Sequence, residues 1–331
     1  MIQLRYHLGF VGLSLACAVS LVATAGCGVL GDAVGSPPPV GSSDDSGDGS
    51  SLVDDDDSSD DDDSGDDASH DDDDSGDDAW SDDDDTGDEE VEPWEARAVW
   101  VTRWDYSSEA DIATVFERAQ DGGFNVVFFQ VRGTADAYYE STYEPWAKRL
   151  TGTLGDDPGW DPLQAALDQG AARGIQVHAW LNTFPAWSGS DPPTESVPRH
   201  PLLDHPDWVV VDGSGAAQDP GEGYVFFSPG NAEVRAHIAA VVGDLVDRYA
   251  VDGVHLDYVR YPGVQYSHDD ASETAFAATS GVSRADWQRL QVIETVEGVQ
   301  AAILETRPGT LLTAAVWGIY EDVWGWNSSE G

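Results

Sequence analysis

Along residues 94–331, segments in which apolar residues recur with the period of a strand alternate with segments that have the period of a helix. Runs typical of strands, in which every second residue is apolar, occur at residues 97–102, 125–132, 176–182, 251–258 and 311–317. Amphipathic segments that predict helices lie between them at residues 109–122, 162–174, 233–249 and 284–307. Strands that alternate with helices of this length predict a parallel α/β architecture.

The segment VDGVHLDYVRYPG, from Val251 to Gly263, indicates what each strand face would contact. Val254 and Leu256 alternate with His255 and Asp257. The preceding helical segment ends at Tyr249, only two residues before the predicted strand begins at Val251. Such short loops are typical of βα repeats, in which residues at the carboxyl ends of the strands form the active site. We therefore predict a (β/α)8 TIM barrel, with Val254 and Leu256 against the outer helices and His255 and Asp257 directed inward.

The number of predicted strands is smaller than a closed barrel requires. Five strands are visible, and three more βα units at roughly 30 residues each would need about 90 further residues. The barrel is therefore expected to be incomplete at the C-terminus after about five units. Residues 200–227 interrupt the alternation, and HPDWVVVDGSG followed by YVFFSPG predicts a hairpin that turns at Gly213–Gly215.

Residues 1–26 have the pattern of an export signal. Arg5 supplies a positive start, Leu8 to Ala23 is an apolar core shorter than the roughly 20 residues of a membrane span, and small residues precede Cys27. The stretch LVATAGC resembles a bacterial lipoprotein signal, in which Cys27 would be lipidated, although Thr24 departs from that pattern and ordinary cleavage with secretion remains open. The only two cysteines lie in this segment, so the exported domain has no disulfide.

Residues 27–93 are predicted to be a disordered linker that follows the anchor cysteine. Residues 44–92 hold 27 acidic side chains and no Lys or Arg, with an 11-residue unit DDDDSGDDASH that repeats. So little apolar surface cannot offset the entropy of ordering, so the segment should be an extended tether. Calcium binding is the alternative, but the unit lacks the turn and the bidentate Glu of a calcium loop.

The remaining domain, residues 94–331, is long enough for one substantial core and is itself acidic. Residues 95–331 carry 35 Asp or Glu and 14 Lys or Arg, a difference of −21, and the whole chain has a formal net charge of −48. Nucleic acid is therefore excluded as a partner, because phosphate binding requires a basic face. Contact with a membrane is expected only through the lipid anchor, and the oligomeric state is left open.

Polar and aromatic residues recur where the predicted strands end, which is typical of a sugar-binding cleft. Aromatic faces pack on the C–H faces of sugars, and amides and charged groups bond the hydroxyls. The predicted substrate-binding residues are Gln130, Arg132, Asp136, Tyr139, His178, Trp180, Asn182, His255, Tyr258, Arg260 and Trp317. His178 and His255 could instead be core histidines. As metal ligands they are weak candidates because no HxH pair or HExxH motif occurs, and no metal or cofactor is predicted.

Several motifs together resemble a known family. RAVWVTRWD, VVFFQVRGTADAYYES, HAWLNTF, HPDW, SPGNAEVR and DGVHLDYVRYP are similar, in this order, to the glycosyl hydrolase-like 10 family of exported bacterial proteins. The resemblance extends from about Ala96 to the last residue. It implies a carbohydrate-active TIM barrel associated with the glycan strands of peptidoglycan. By strand position Asp257 also matches the nucleophile of several retaining glycosidase families, with His255 as the basic residue two positions earlier.

Glycoside hydrolysis usually requires two carboxyl groups on either side of the bond that breaks. Asp257 is the first candidate, although it could instead be a structural acid paired with Arg260. Asp105, Asp136 and Glu321 each follow a strand closely enough to be its partner, and Glu321 is the one we assign. Two functions follow from the sequence: a tethered glycoside hydrolase that acts on cell-wall glycan, or a non-catalytic glycan-binding lipoprotein.

Overall fold

A computed structural model describes residues 95–316 of the chain. The predicted signal segment, Cys27, the acidic linker, Trp317 and Glu321 lie outside the described residues, and what was inferred for them stays a prediction. No helix within residues 95–316 is long and apolar enough to cross a membrane.

Strands and long helices alternate in the described residues as the sequence predicts. The main sheet contains β1 (Ala98–Val101), β2 (Val126–Arg132), β3 (Gln176–Asn182), β6 (Gly253–Asp257) and β7 (Leu311–Ala314). The long helices are α1 (Glu109–Asp121), α3 (Pro162–Arg173), α5 (Ala232–Arg248) and α7 (Arg284–Thr306). Strand β5 (Tyr224–Phe226) lies in the second arm of the predicted hairpin. The sequence did not predict the shorter elements α2 (Lys148–Thr151), β4 (Pro185–Ser188), α4 (Pro201–Asp204) and α6 (Asp270–Ala277).

The five strands form one parallel sheet in the order β1-β2-β3-β6-β7. This confirms the predicted α/β fold and its five parallel strands. Within residues 95–316 the sheet is open, because β1 and β7 each pair with a single neighbour. The carboxyl ends of all five strands lie at the same edge of the sheet, which we call the rim.

Local signals explain where the helices begin and end. The Ser108 side chain accepts a hydrogen bond from the amide of Asp111 at the start of α1, and Asp161 accepts one from Gln164 at the start of α3. Each such cap contributes about 1 kcal/mol. Helix α3 ends at Gly174, whose φ of 67° is readily adopted by glycine, and β3 begins two residues later.

The two faces of the sheet contact different surroundings, as predicted for β6. Val254 and Leu256 are fully buried in the core between sheet and helices. On the opposite face Phe128 and Trp180 form a separate cluster, and the His255 ring stacks on Phe128 with 4.0 Å between ring centroids. His255 therefore faces the inside of the predicted barrel.

The predicted alternation fails at the end of β2, and with it one predicted binding residue. Gln130 pairs with Trp180 of β3, but an extra residue bulges out of the strand, so that Arg132 lies opposite Leu181. Because Leu181 belongs to the helix-side core, the bulge places Arg132 in the interior, where it is fully buried. The prediction that Arg132 binds substrate was wrong.

Tyr139 requires the same correction. Its side chain is completely buried and packs edge-on against Tyr249, with 5.7 Å between ring centroids. It belongs to the helix-side core rather than to a cleft. The sequence pattern, an aromatic residue soon after a strand, does not distinguish a sugar-binding residue from a core residue.

The insert at residues 200–227 contains the predicted turn and also the antiparallel contact expected of a hairpin, because Val209 bridges Phe227 and the amide of Val210 donates to the carbonyl of Phe226 at 3.0 Å. Val211 bridges Ala217, and the amide of Gly215 donates to the carbonyl of Asp212, so the chain does turn at this place. Strand β5 also pairs antiparallel with β4, which follows β3 after two residues and was not predicted. The two form a separate two-stranded sheet that brings Tyr224 toward the rim.

Candidate active site at the rim of the sheet

Asp257 is the last residue of β6 and lies partly open to solvent. Its side chain is 20% exposed, and Oδ1 accepts a hydrogen bond from the amide of Tyr258 at 2.7 Å. Burial raises the pKa of the carboxyl group, although the Tyr258 amide, Arg260 and the Trp180 indole act in the opposite direction. A carboxylate with a raised pKa at the end of a barrel strand is a candidate for acid–base or nucleophilic chemistry.

The backbone next to Asp257 adopts a conformation that non-glycine residues rarely use. Tyr258 has a φ of 49°, in the left-handed region. Such conformations cost about 1–3 kcal/mol and persist only where the surroundings require them, often at functional sites. Here the turn directs the amide of Tyr258 onto the carboxylate.

Arg260 is only loosely paired with Asp257. The distance from its Nη1 to Asp257 Oδ1 is 3.9 Å, and its side chain is 37% exposed. The guanidinium group lies over the Tyr258 ring, 4.5 Å from the ring centroid. A long, half-exposed contact of this kind does not make Asp257 a structural partner of Arg260.

The two amide side chains predicted to bind substrate bond to each other and to backbone groups of neighbouring loops. Gln130 Nε2 donates to Asn182 Oδ1 at 3.2 Å, and Asn182 Nδ2 donates to the carbonyl of Gly133 at 3.1 Å. Gln130 Oε1 accepts from the amide of Arg103. Because Asn182 is also the strand neighbour of Asp257, this network fixes the floor of the rim beside the carboxylate.

Arg103 extends the network across the rim and was missed in the sequence. Its guanidinium group occupies the space that a side chain at Gly133 would need, since a Cβ there would lie 2.9 Å from Arg103 Cζ. Its Nη2 donates to the Tyr224 hydroxyl at 2.9 Å, and the Tyr224 ring stands edge-on to Tyr258 at 5.6 Å. Its position two residues after β1 could have indicated that it lies at the rim. Its partner Tyr224, however, is 121 residues later in the chain, so the contact itself could not be predicted.

His255 and His178 lie below the rim as neutral interior groups. Trp100 Nε1 donates to His255 Nε2 at 3.2 Å, so the proton of His255 is on Nδ1, which donates to Thr313 Oγ1 at 2.9 Å. Burial lowers the pKa of His255 to about 3 and that of His178 to about 4. Gly253 leaves room for the ring of His178, because a Cβ there would lie 2.5 Å from Nδ1. The reading of both residues as core histidines fits this geometry better than substrate binding.

Two of the three carboxylates considered as partners of Asp257 lie in the described residues, and both are bonded within turns. Asp105 accepts hydrogen bonds from the amide and hydroxyl of Thr102, both at 2.7 Å, and so caps the turn after β1. Asp136 accepts from the amides of Gly133 and Thr134 in the loop after β2, at 3.1 and 2.7 Å. Glu321 lies outside the described residues. Among residues 95–316 no group of three His, Cys, Asp or Glu side chains is placed to hold a metal ion.

A partly buried carboxylate beside amides and aromatic rings, at the carboxyl ends of parallel strands, is the kind of site that carbohydrate-active α/β proteins use. The chain matches the Glycosyl hydrolase-like 10 family over residues 95–325. It belongs to this family, as the motifs indicated, and is a glycosyl hydrolase-like protein.

Two similar proteins are both named glycosyl hydrolases. The chain is 33% identical to Glycosyl hydrolase DigH of Escherichia coli K12 over 209 residues, which are 59% of this chain and 45% of that protein. It is 28% identical to Glycosyl hydrolase YngK of Bacillus subtilis 168 over 243 residues, or 69% of this chain and 46% of that protein. The chain therefore spans about half the length of these relatives.

Similar solved structures include two from glycan-active proteins. The alpha-L-fucosidase isoenzyme 2 of Paenibacillus thiaminolyticus has a TM-score of 0.49 and 15% identity, over 67% of this chain and 33% of that one. The glycoside hydrolase domain of PgaB from Bordetella bronchiseptica has a TM-score of 0.48 and 15% identity, over 67% of this chain and 65% of that one.

Proposed function

We propose that the protein is an exported, lipid-anchored glycoside hydrolase that acts on a cell-wall glycan, with peptidoglycan strands as the favoured substrate. One observation carries this proposal: Asp257 ends an interior-facing strand with a partly exposed carboxylate whose pKa is raised. The names of the relatives DigH and YngK, both called glycosyl hydrolases, support the same reaction class.

Asp257 would act as the nucleophile or the general base of the reaction. In either role its ionised carboxylate lies near the anomeric carbon while a second carboxyl group protonates the leaving oxygen. Tyr258 and Arg260 lie beside Asp257 with exposed surface and would contact the sugar. Asn182 and Gln130, whose amides bond to each other, would hold the floor in position.

The decisive variant is Asp257→Asn, which removes the charge at nearly constant shape. We expect turnover of purified peptidoglycan by the full chain to fall at least a thousandfold, which is about 4 kcal/mol of transition-state stabilisation. The melting temperature should stay near that of the wild type or rise slightly, because the ionised group is partly desolvated. Asp247→Asn, on the exposed side of α5, is the matched control and should change neither quantity. Near-normal turnover by folded Asp257→Asn would remove this residue from the mechanism.

A non-catalytic glycan-binding lipoprotein is the second candidate. Among the described residues, the groups that shift the pKa of Asp257 include no second carboxylate, and this favours a binding role. A binder would retain glycan strands without releasing reducing ends, and Asp257→Asn would then leave its affinity for glycan unchanged.

The proposed anchor has its own test. If Cys27 is lipidated, Cys27→Ala should abolish acyl labelling and move the protein from the membrane fraction to the soluble fraction. Cys17→Ala, in the segment that is removed, is the control and should leave both unchanged. A wild-type chain that is wholly soluble and begins at another residue would contradict lipid anchoring and favour simple secretion.

A further inference from the structure

Two arginines that meet at the rim, Arg103 and Arg149, have no carboxylate within 4.0 Å among the described residues, and Lys148 precedes Arg149 in the chain. Most arginines within residues 95–316 are within 4.0 Å of an acidic group, but Arg103, Lys148 and Arg149 form no such ion pair there. Residues 95–331 carry 35 acidic and 14 basic residues. Asp136 acts on Arg103 only from beyond ion-pair distance, so in this acidic domain the two rim arginines retain capacity for an anion that the protein itself does not supply.

The cations surround an exposed tryptophan. Trp104 follows β1 and is 61% exposed. The guanidinium groups of Arg149 and Arg103 lie 4.5 and 5.0 Å from the centroid of its ring. Arg149 is held in place because Nε donates to the carbonyl of Arg103 at 2.8 Å and Nη2 donates to that of Trp104 at 3.3 Å. Lys148 precedes Arg149 on α2 and is also exposed.

A continuous series of contacts connects this cluster with Asp257. Arg103 bonds to the hydroxyl of Tyr224, the Tyr224 ring meets Tyr258, and the amide of Tyr258 bonds to Asp257. Both ends of the series follow strands of the same sheet at their carboxyl ends. A glycan of several sugars bound at Asp257 could therefore extend along this wall to Trp104.

The chemistry of the cluster selects the ligand. An exposed indole face is a stacking surface for a sugar ring, and a guanidinium group binds a carboxylate through two parallel hydrogen bonds. Stacking of arginine on tryptophan by itself would be only a weak surface contact. That contact alone leaves unexplained why two arginines without an ion pair lie at the rim of an acidic domain, whose charge would otherwise repel an anionic substrate.

We propose that the exposed Trp104 and Arg149, with Arg103 as a buried positive charge behind them, form a subsite for a glycan unit that carries a carboxylate. This inference rests on the proposed glycan-directed function and adds the charge of the substrate to it. The carboxylate has two possible sources, an acidic substituent on the sugar itself or a peptide attached to the strand.

Binding measurements in the Asp257→Asn full chain test the subsite without cleavage of the probe. The probes are peptide-bearing peptidoglycan strands, the same strands after enzymatic removal of the peptides, the stripped strands after conversion of their carboxylates to alcohols, and neutral chitooligosaccharides of equal length. We expect at least a fivefold preference for carboxylate-bearing strands over the reduced strands at low salt, and a smaller preference at 0.5 M salt. The comparison of peptide-bearing with stripped strands identifies the source of the carboxylate.

Three variants separate charge from stacking. Arg149→Gln should remove most of the preference for carboxylate while the affinity for reduced strands stays the same. Trp104→Ala should weaken both by about tenfold, because it removes the exposed indole face on which a sugar ring would stack. Arg118→Gln is the matched control, because Arg118 is exposed, has no ion pair within the described residues and lies in the last turn of α1, away from the rim. It should leave all affinities unchanged.

The outcomes distinguish this inference from the proposed function. Equal affinity for carboxylate-bearing and reduced strands, with turnover by the wild type intact, would overturn the subsite alone. Equal losses from Arg149→Gln and Arg118→Gln would also overturn it, because they would indicate general charge attraction. If the chain bound none of the glycans, the subsite and the proposed function would both be wrong.

Discussion

Two arginine–carboxylate pairs in this domain contain the same chemical groups in opposite surroundings. Arg132 and Glu144 are both 0% exposed and are joined by two hydrogen bonds of 2.7 and 2.8 Å. Arg260 and Asp257 lie at the rim, 3.9 Å apart and 37% and 20% exposed. In the first pair each group is buried and hydrogen-bonded to the other, whereas the Asp257 carboxylate of the second pair is partly exposed and can still accept hydrogen bonds.

The surroundings move the two carboxyl pKa values in opposite directions. Burial opposes ionisation of Glu144, but Arg132 and His237 outweigh it and lower its pKa to about 2. At Asp257 burial dominates and the pKa is raised, because Arg260 is too distant to compensate. The difference indicates that the buried pair contributes to the fold, whereas the rim pair keeps a carboxylate available for chemistry.

The largest expected effect comes from breaking the buried pair. Glu144→Gln would leave the Arg132 guanidinium buried without a counter-charge, and we expect a loss of about 3–5 kcal/mol in the free energy of unfolding, measured with denaturant. Glu140→Gln is the matched control, because Glu140 is 72% exposed and 3.6 Å from Arg248. It should cost less than about 1 kcal/mol. Similar small losses in both variants would show that the buried pair adds little to stability.

The second expected effect is the pH dependence of that same loss. A carboxyl group whose pKa is lowered by folding stabilises the protein above its unfolded value, near 4.5, and loses this contribution as the pH falls through its folded value, about 2. The difference in unfolding free energy between wild type and Glu144→Gln should therefore be constant above about pH 5 and shrink by about 3 kcal/mol on the way to pH 2. A difference that stays constant down to pH 2 would contradict the lowered pKa.

The main features of the fold could be predicted from sequence because they depend on local periodicity. Strand β3 was predicted at its observed bounds, and α1 and α7 differ from prediction by a single residue. The faces of β6 were also predicted, since the alternation of Val254 and Leu256 with His255 and Asp257 is uninterrupted there.

The site was less predictable, because its geometry depends on contacts that periodicity does not encode. One extra residue in β2 reversed the expected direction of Arg132, and nothing in the local sequence marks a bulge. Arg103 and Tyr224 meet only because β5 pairs with β4, an arrangement set by long-range packing. The position of Asp257 at the rim could be predicted, because it is the last residue of a strand with uninterrupted alternation.

The smallest expected effect concerns the rim pair and tests its role most specifically. Arg260→Gln removes a half-exposed charge 3.9 Å from Asp257, so the free energy of unfolding should change by less than about 1 kcal/mol. Arg260 counteracts the effect of burial on the Asp257 pKa, and its loss should raise that pKa further. Since the ionised form is the active one, the acidic limb of the pH profile of turnover should move to higher pH. Arg289→Gln removes an exposed arginine paired with Asp286 on α7 and should leave the profile in place. A large loss of stability in Arg260→Gln, with no shift of the acidic limb, would make the rim pair structural like the buried one.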